Sequence, residues 1–302
     1  MAKPEDIEPD DIKSIPTFRA AYADRTSLLM ARLSLRAYES FDHNEESFVN
    51  FSKGFEALGL KQCVGLIDRE AGTAGYVVAG DDLIVVVFRG TENELHWKTN
   101  FRLQFVVLQG GARVHAGFFL AYLTIRDTLF ATVKKLTVAK PRPVYVTGHS
   151  LGGALAMMAT AELSNHDDRE LRDCIAACYT FGSPKVGDRS FDQFVKVPLY
   201  RVTNGVDIVP AVPPWFGYRQ VGDTRWFNLP GLAPLRRGPR LGRQALRSLR
   251  ALLSFVWTGR LRNVADHDMH AYIGKLYEWI QRNIAETQKL REDTADPEIK
   301  KY

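Results

Sequence analysis

Ser150 lies in Thr147-Gly148-His149-Ser150-Leu151-Gly152-Gly153, a Gly-x-Ser-x-Gly run. A β-branched and aromatic stretch precedes it and an Ala- and Leu-rich stretch follows. A strand that turns this abruptly into a helix pushes its central residue into a strained, exposed position at the top of a sheet. Gly148 and Gly152 leave out Cβ atoms that would collide across the turn. The following helix aims its N-terminus at the same spot, where developing negative charge is then favoured. The chemistry this suits is nucleophilic attack by the serine hydroxyl. The bland alternative is a buried Gly-rich crossover with an incidental serine.

A serine hydroxyl is a poor nucleophile unless a histidine removes its proton and an acid fixes that histidine's tautomer. In a fold of this kind the acid follows the serine and the histidine follows the acid. Asp207, in Asn204-Gly205-Val206-Asp207-Ile208-Val209-Pro210, comes directly after a buried strand and is the leading acid. Asp188 is its rival but reads better as the start of the next helix. Three histidines lie downstream of the serine: His166, His267 and His270. His166 sits in a polar loop ahead of Asp207. His267 opens the last helix, from which it can swing over a neighbouring loop, and is preferred; His270, one turn further in, is the alternative. The oxyanion of acyl transfer needs two N–H donors. The Leu151 amide supplies one, and Thr91, at the end of an early buried strand, is placed for the other. A metal reading of His267, Asp268 and His270 finds no matching ligand cluster, so neither a metal nor an organic cofactor is expected.

The elements that must position these groups alternate. Helices are expected from about Asp24 to Tyr38 and from Phe48 to Leu58. Ala74–Ala79 and Leu83–Phe88 read as a hairpin around Gly80-Asp81-Asp82, its second strand buried on both faces. A helix follows Val114-His115-Ala116-Gly117-Phe118 to about Val133. Then come the Ser150 strand and helix, a strand from Ile175 to Phe181, a helix near Phe191 to Phe194 and a last buried strand at Leu199–Thr203. The fold class is α/β: a mostly parallel central sheet with helices on both faces.

The chain has 302 residues, 45% of them hydrophobic and 25% charged, which fits one globular domain with a sizeable core. Residues 1–17 read as a mobile acidic tail, 18–285 as the domain and 286–302 as a polar C-terminal tail. The N-terminus has no basic-then-apolar order, so no signal peptide is expected. The uncharged stretch from Pro143 to Ala161 contains the Gly-rich turn, which argues against a membrane span. Cys63, Cys174 and Cys178 read as reduced core thiols, in keeping with a cytoplasmic location. From Arg219 to Arg262 there are ten arginines, no lysine and one acid; this segment carries +9 and leaves −4 for the rest. Residues from about 215 to 263 therefore read as an Arg-rich insertion that the fold does not need. Within it Leu246, Leu249, Leu253, Val256 and Trp257 group on one helical side, with Arg243, Arg247 and Arg250 outside them. Such a helix suits peripheral contact with an anionic membrane; a solvated surface helix is the equal alternative. No nucleic-acid module is visible, and nothing implies an obligate protein partner.

Six pieces in order resemble the class 3 lipases, the fungal-lipase-like branch of the α/β hydrolases. They are Phe88-Arg89-Gly90-Thr91 with Trp97, Val114–Phe118, Thr147–Ala154, Tyr179–Gly187, Asn204–Pro210, and Asp266-His267 with Tyr272. The resemblance covers roughly residues 20 to 280. It implies an α/β-hydrolase fold, nucleophile Ser150, acid Asp207, base His267 and oxyanion donors Thr91 and Leu151. It also implies a lid at about Glu92 to Gln104, including Trp97, and structural or supporting roles for His115 and His149. The expected activity is lipase-like hydrolysis of acyl esters of glycerides or related lipids. A phospholipase A or small-ester esterase is the alternative, and a non-catalytic scaffold is the reading from a different class.

Overall fold

A computed structural model describes residues 3–15, 21–91, 104–108, 110–205, 207–213, 217–227, 236–237 and 264–295. In chain order the helices are α1 (Pro9–Lys13), α2 (Asp24–Arg36), α3 (Glu45–Glu56), α4 (Ala116–Ala139), α5 (Leu151–Leu163), α6 (Arg169–Cys174), α7 (Arg189–Phe194), α8 (Val264–His267) and α9 (Met269–Ala295). The strands are β1 (Gln62–Asp68), β2 (Thr73–Ala79), β3 (Ile84–Phe88), β4 (Phe105–Val107), β5 (Arg113–His115), β6 (Val144–His149), β7 (Ile175–Phe181), β8 (Leu199–Asn204), β9 (Asp223–Phe227) and β10 (Arg236–Arg237).

The sheet follows from the apolar runs. Every residue of β3 is buried, and so is every residue of β6, the pattern of strands covered on both faces. β3, β6, β7, β8 and β9 pair in parallel, while β1, β2 and β3 form an antiparallel meander at one edge. The full order is β1-β2-β3-β6-β7-β8-β9-β10, with β4 and β5 as a separate pair. This is the expected mostly parallel α/β sheet.

Alternate residues of each strand feed two cores. Ile84, Val86, Phe88, Val144 and Val146 meet α4 and α5 on one face. Val85, Val87, Tyr145, Tyr179 and Phe181 meet α2, α3 and α9 on the other. Each fully buried Val or Phe side chain contributes about 1.5–3 kcal/mol through removal from water. Eleven of the 13 residues of α5 are buried, and glycines and alanines at 152, 153, 154 and 156 let it lie close on the sheet. One helix among the described residues, α4, is long and apolar enough to cross a membrane. Its buried residues Phe118, Tyr122, Ile125, Leu129, Val133 and Leu136 recur every three or four positions and face the core.

Three expectations are revised. The N-terminal segment is not a free tail: Arg32, 5% exposed, donates to Pro4 O and Asp11 Oδ2, both at 2.7 Å, and so fastens α1 to α2. A buried guanidinium requires such partners, and an acidic stretch supplies them. The region after residue 215 is not all dispensable, because β9 extends the sheet beside β8. Its charged residues fooled the hydropathy pattern; β9 is only half-buried, so Arg225 can pair with Asp223 at 2.8 Å and lie over the Tyr22 ring at 4.5 Å. Finally, α9 continues past residue 285 to Ala295. The three cysteines are free.

Candidate active site

β6 ends at His149 and α5 starts at Leu151, so Ser150 alone makes the turn. Its φ of 56° and ψ of −126° make it the one non-glycine with positive φ among the described residues. Such a conformation costs of order 1–3 kcal/mol and persists only when its surroundings enforce it. The enforcement is visible. A Cβ on Gly148 would run into the Gly152 backbone, and one on Gly152 into the Phe88 and Arg89 backbone. The strain is as expected, but the exposure is not: Ser150 is 2% exposed. The turn is packed from the side, and the His267 ring closes on the hydroxyl.

Asp207 leaves the end of β8 and His267 ends α8, and the structure brings both to Ser150. His267 Nε2 is 2.9 Å from Ser150 Oγ, and His267 Nδ1 is 2.8 Å from Asp207 Oδ2. The side chains of His267 and Asp207 are 2% and 0% exposed. A carboxylate can only accept, so Nδ1 carries the proton and Nε2 is left to accept from the serine hydroxyl. The other Asp207 bonds are equally defined. Val209 N donates to Oδ1 at 2.9 Å, and the Tyr272 hydroxyl donates to Oδ2 at 2.5 Å. Tyr272 is itself held by the Asn204 amide at 3.1 Å. Burial, with the Asp207 charge adding to it, drives the Tyr272 phenol well above its ordinary range, so it stays a donor.

A second support comes from the other side. His149 Nε2 lies 2.7 Å from the His267 carbonyl oxygen, which can only accept, so Nε2 carries a proton. His149 Nδ1 must then accept from the Tyr38 hydroxyl, also at 2.7 Å. The His149 and His267 rings lie 4.6 Å apart. Burial, reinforced by His267, drops the pKa of His149 well below the usual histidine range and keeps the ring neutral. Tyr38 is far away in sequence and has no local signature, so sequence reasoning missed it; only the fold brings it here.

Thr91 follows the end of β3. Gly90 before it packs against the His149 carbonyl and the Tyr38 hydroxyl, which puts the Thr91 segment beside the serine turn. Arg89 fixes this strand end through a bidentate pair with Asp42, at 2.8 and 2.7 Å. Burial raises the Asp42 carboxyl, but the Arg89 bonds outweigh it and the net shift is downward. Leu151, half-buried, is the first residue of α5. The rivals lie elsewhere. Asp188 caps α7 and pairs with Arg113. His270 Nδ1 is 3.2 Å from Glu5 Oε1, and His166 accepts from the Asp168 amide. His115 caps α4 by accepting from Gly117 N and Phe118 N, and burial lowers its pKa to about 4. The lid candidate Trp97 and the basic residues Arg243, Arg247 and Arg250 lie outside the described residues.

Comparison with known proteins matches residues 85–217 to the model of the family described as lipase (class 3). A lipase of Rhizopus niveus is 37% identical over 165 residues, covering 52% of this chain and 42% of that protein. The secreted mono- and diacylglycerol lipase 1 of Fusarium solani is 37% identical over 172 residues, covering 54% and 50%. The chain thus spans about half the length of the curated relatives it matches. Among solved structures, the lipase of Rhizopus microsporus var. chinensis aligns with a TM-score of 0.60 at 25% identity, covering 82% of this chain and 88% of that one. The expected cytoplasmic location does not stand: the Fusarium relative is named as secreted, and an N-terminal reading together with reduced thiols does not outweigh that.

Proposed function

We propose, from the match of residues 85–217 to the lipase (class 3) family and the likeness to fungal lipases, that the chain is a member of that family and a serine carboxylic ester hydrolase acting on acylglycerols. The observation that carries this reading is the unbroken line from Asp207 through His267 to Ser150, with both contacts under 3 Å. Ser150 Oγ attacks the acyl carbonyl carbon as its proton passes to His267 Nε2. The tetrahedral oxyanion takes N–H donation from Leu151 and Thr91. Collapse breaks the ester C–O bond, and the leaving alcohol takes the proton from Nε2. Water then gives a proton to Nε2 and attacks the acyl-enzyme; the second collapse frees the fatty acid and returns the proton to Oγ. Asp207 orients the ring and stabilises the imidazolium, and Tyr272 and Val209 N hold Asp207 still.

Labelling with a fluorophosphonate probe tests the nucleophile: wild type should react and Ser150→Ala should not. Hydrolysis of mono-, di- and triacylglycerol emulsions against diacyl phospholipid vesicles then tests the substrate class. Faster turnover of phospholipid would favour the phospholipase A alternative. No labelling of wild type, with detergent or vesicles present, would overturn the reading and favour a scaffold. Lipid contact through Arg243, Arg247 and Arg250 belongs to the same proposal. A variant with all three changed to glutamine should sediment less with anionic liposomes; equal sedimentation would remove that part.

A further inference from the structure

Behind the serine turn, on the α5 side of the sheet, lies a second polar cluster that the hydrolase reading does not use. Arg201 points from β8 between Tyr200 and Val202, whose side chains face the opposite core. It is 1% exposed and among the largest fully buried side chains. Its Nη2 donates to Ser183 O at 3.1 Å, but Nε and Nη1 find no acceptor. Thr180, its register partner on β7, is fully buried, and its hydroxyl also has no partner. Lys185 is close enough to feel the Arg201 charge, and burial together with that charge lowers its ammonium to about 8. Lys185 Nζ has one acceptor, Pro213 O at 3.0 Å. Among the described residues no carboxylate pairs with either cation.

Two cations and a hydroxyl thus offer donors without a counter-charge, in surroundings where an uncompensated charge is costly. A water molecule would accept from this set but leave its own hydrogens without acceptors and the charge uncancelled. A monovalent anion accepts from the donors and offsets one of the two charges, and the burial of the site favours a small one. We propose that Arg201, with Thr180 and Lys185, binds a small inorganic anion of the halide class beneath the loop that follows β7. Arg201 Nε and Nη1 and the Thr180 hydroxyl donate to it, and Lys185 supplies the second charge. The ion sits close to the serine site without joining it. Ser183, which Arg201 holds, follows Gly182, and the space beside Gly182 is filled by Asp207 Oδ2 and the His267 ring. The ion's task is to fix this loop, and the proposal stands or falls independently of the hydrolase reading.

Bromide is the probe. The thermal midpoint of wild type should rise saturably, by about a few degrees between roughly 1 and 100 mM sodium bromide, relative to sodium gluconate at equal ionic strength. Crystals grown in bromide should show an anomalous peak in contact with Arg201 Nε or Nη1. Arg201→Met should abolish the bromide response; if that variant fails to fold, Lys185→Met should weaken it several-fold. A midpoint that follows ionic strength alone, or water without a bromide peak at Arg201, overturns the proposal.

Discussion

Two buried polar clusters occupy the same end of the same strands, one on each face of the sheet, and they differ in self-sufficiency. On the α9 side, Tyr38, His149, His267, Asp207 and Tyr272 form a closed sequence in which donor meets acceptor at 2.5–2.8 Å. On the α5 side, Arg201 and Thr180 present donors with nothing to receive them. Both clusters are largely buried, so burial alone does not distinguish the proposed reactive site from the proposed binding site. A satisfied network fixes one geometry and one tautomer, which general-base chemistry requires. An unsatisfied set of donors calls for a partner from outside the chain.

The sharpest way to break the contrast is at the closed network. Ser150→Ala should lower ester hydrolysis by about 10³- to 10⁶-fold with the fold intact, read from initial rates and circular dichroism. Asp207→Asn should cost on the order of 10⁴-fold in kcat by favouring the wrong His267 tautomer; a loss below tenfold would show that the acid is elsewhere. Tyr38→Phe should destabilise the protein by about 1–3 kcal/mol in urea unfolding, because His149 Nδ1 is left buried without a donor. Arg201→Met should change stability by less than about 1 kcal/mol in halide-free buffer, since it removes an unpaired charge rather than half of a pair. If Arg201→Met were as damaging as Tyr38→Phe, the two clusters would not differ in the way described.

Acid titration sharpens the comparison from another direction. His149 and His115 have folded pKa values below the usual histidine value, that of His115 at about 4. Between the folded and unfolded values the unfolded chain binds more protons, so unfolding free energy rises with pH. Their stabilising contribution is therefore complete above about pH 6.5 and is lost as pH falls toward 4. Urea midpoints should drop across this window, and the drop should be smaller in His115→Gln.

The sequence made one cluster readable and hid the other for physical reasons. Ser150, Asp207 and His267 each stand at a strand or helix end, and glycines, a β-branched run or a helix entrance mark those ends locally. The parallel core was equally plain, because β3 and β6 are apolar throughout. β1 escaped notice since its side chains are mostly half-exposed and Gly65 interrupts the run; β9 escaped because Asp223 and Arg225 make a half-buried strand look like a loop. Tyr38, Asp42 and Arg201 could not be read. A tyrosine among helical apolar residues, an aspartate in a loop and an arginine in a strand acquire meaning only from neighbours far along the chain.

That distance has a consequence for how the protein is made. Ser150 and His267 are 117 residues apart, and the histidine ends α8, the last but one of the helices described. A chain emerging from synthesis completes β6, the serine turn and α5 long before residue 267 exists. Contacts of such separation form late because their loop-closure entropy must be met first. Until α8 and α9 dock, Ser150 Oγ lacks the His267 Nε2 contact on which the proposed reaction depends. On the proposed hydrolase reading the nucleophile is armed only when these helices dock, so a chain that ends before residue 267 carries the turn without the chemistry.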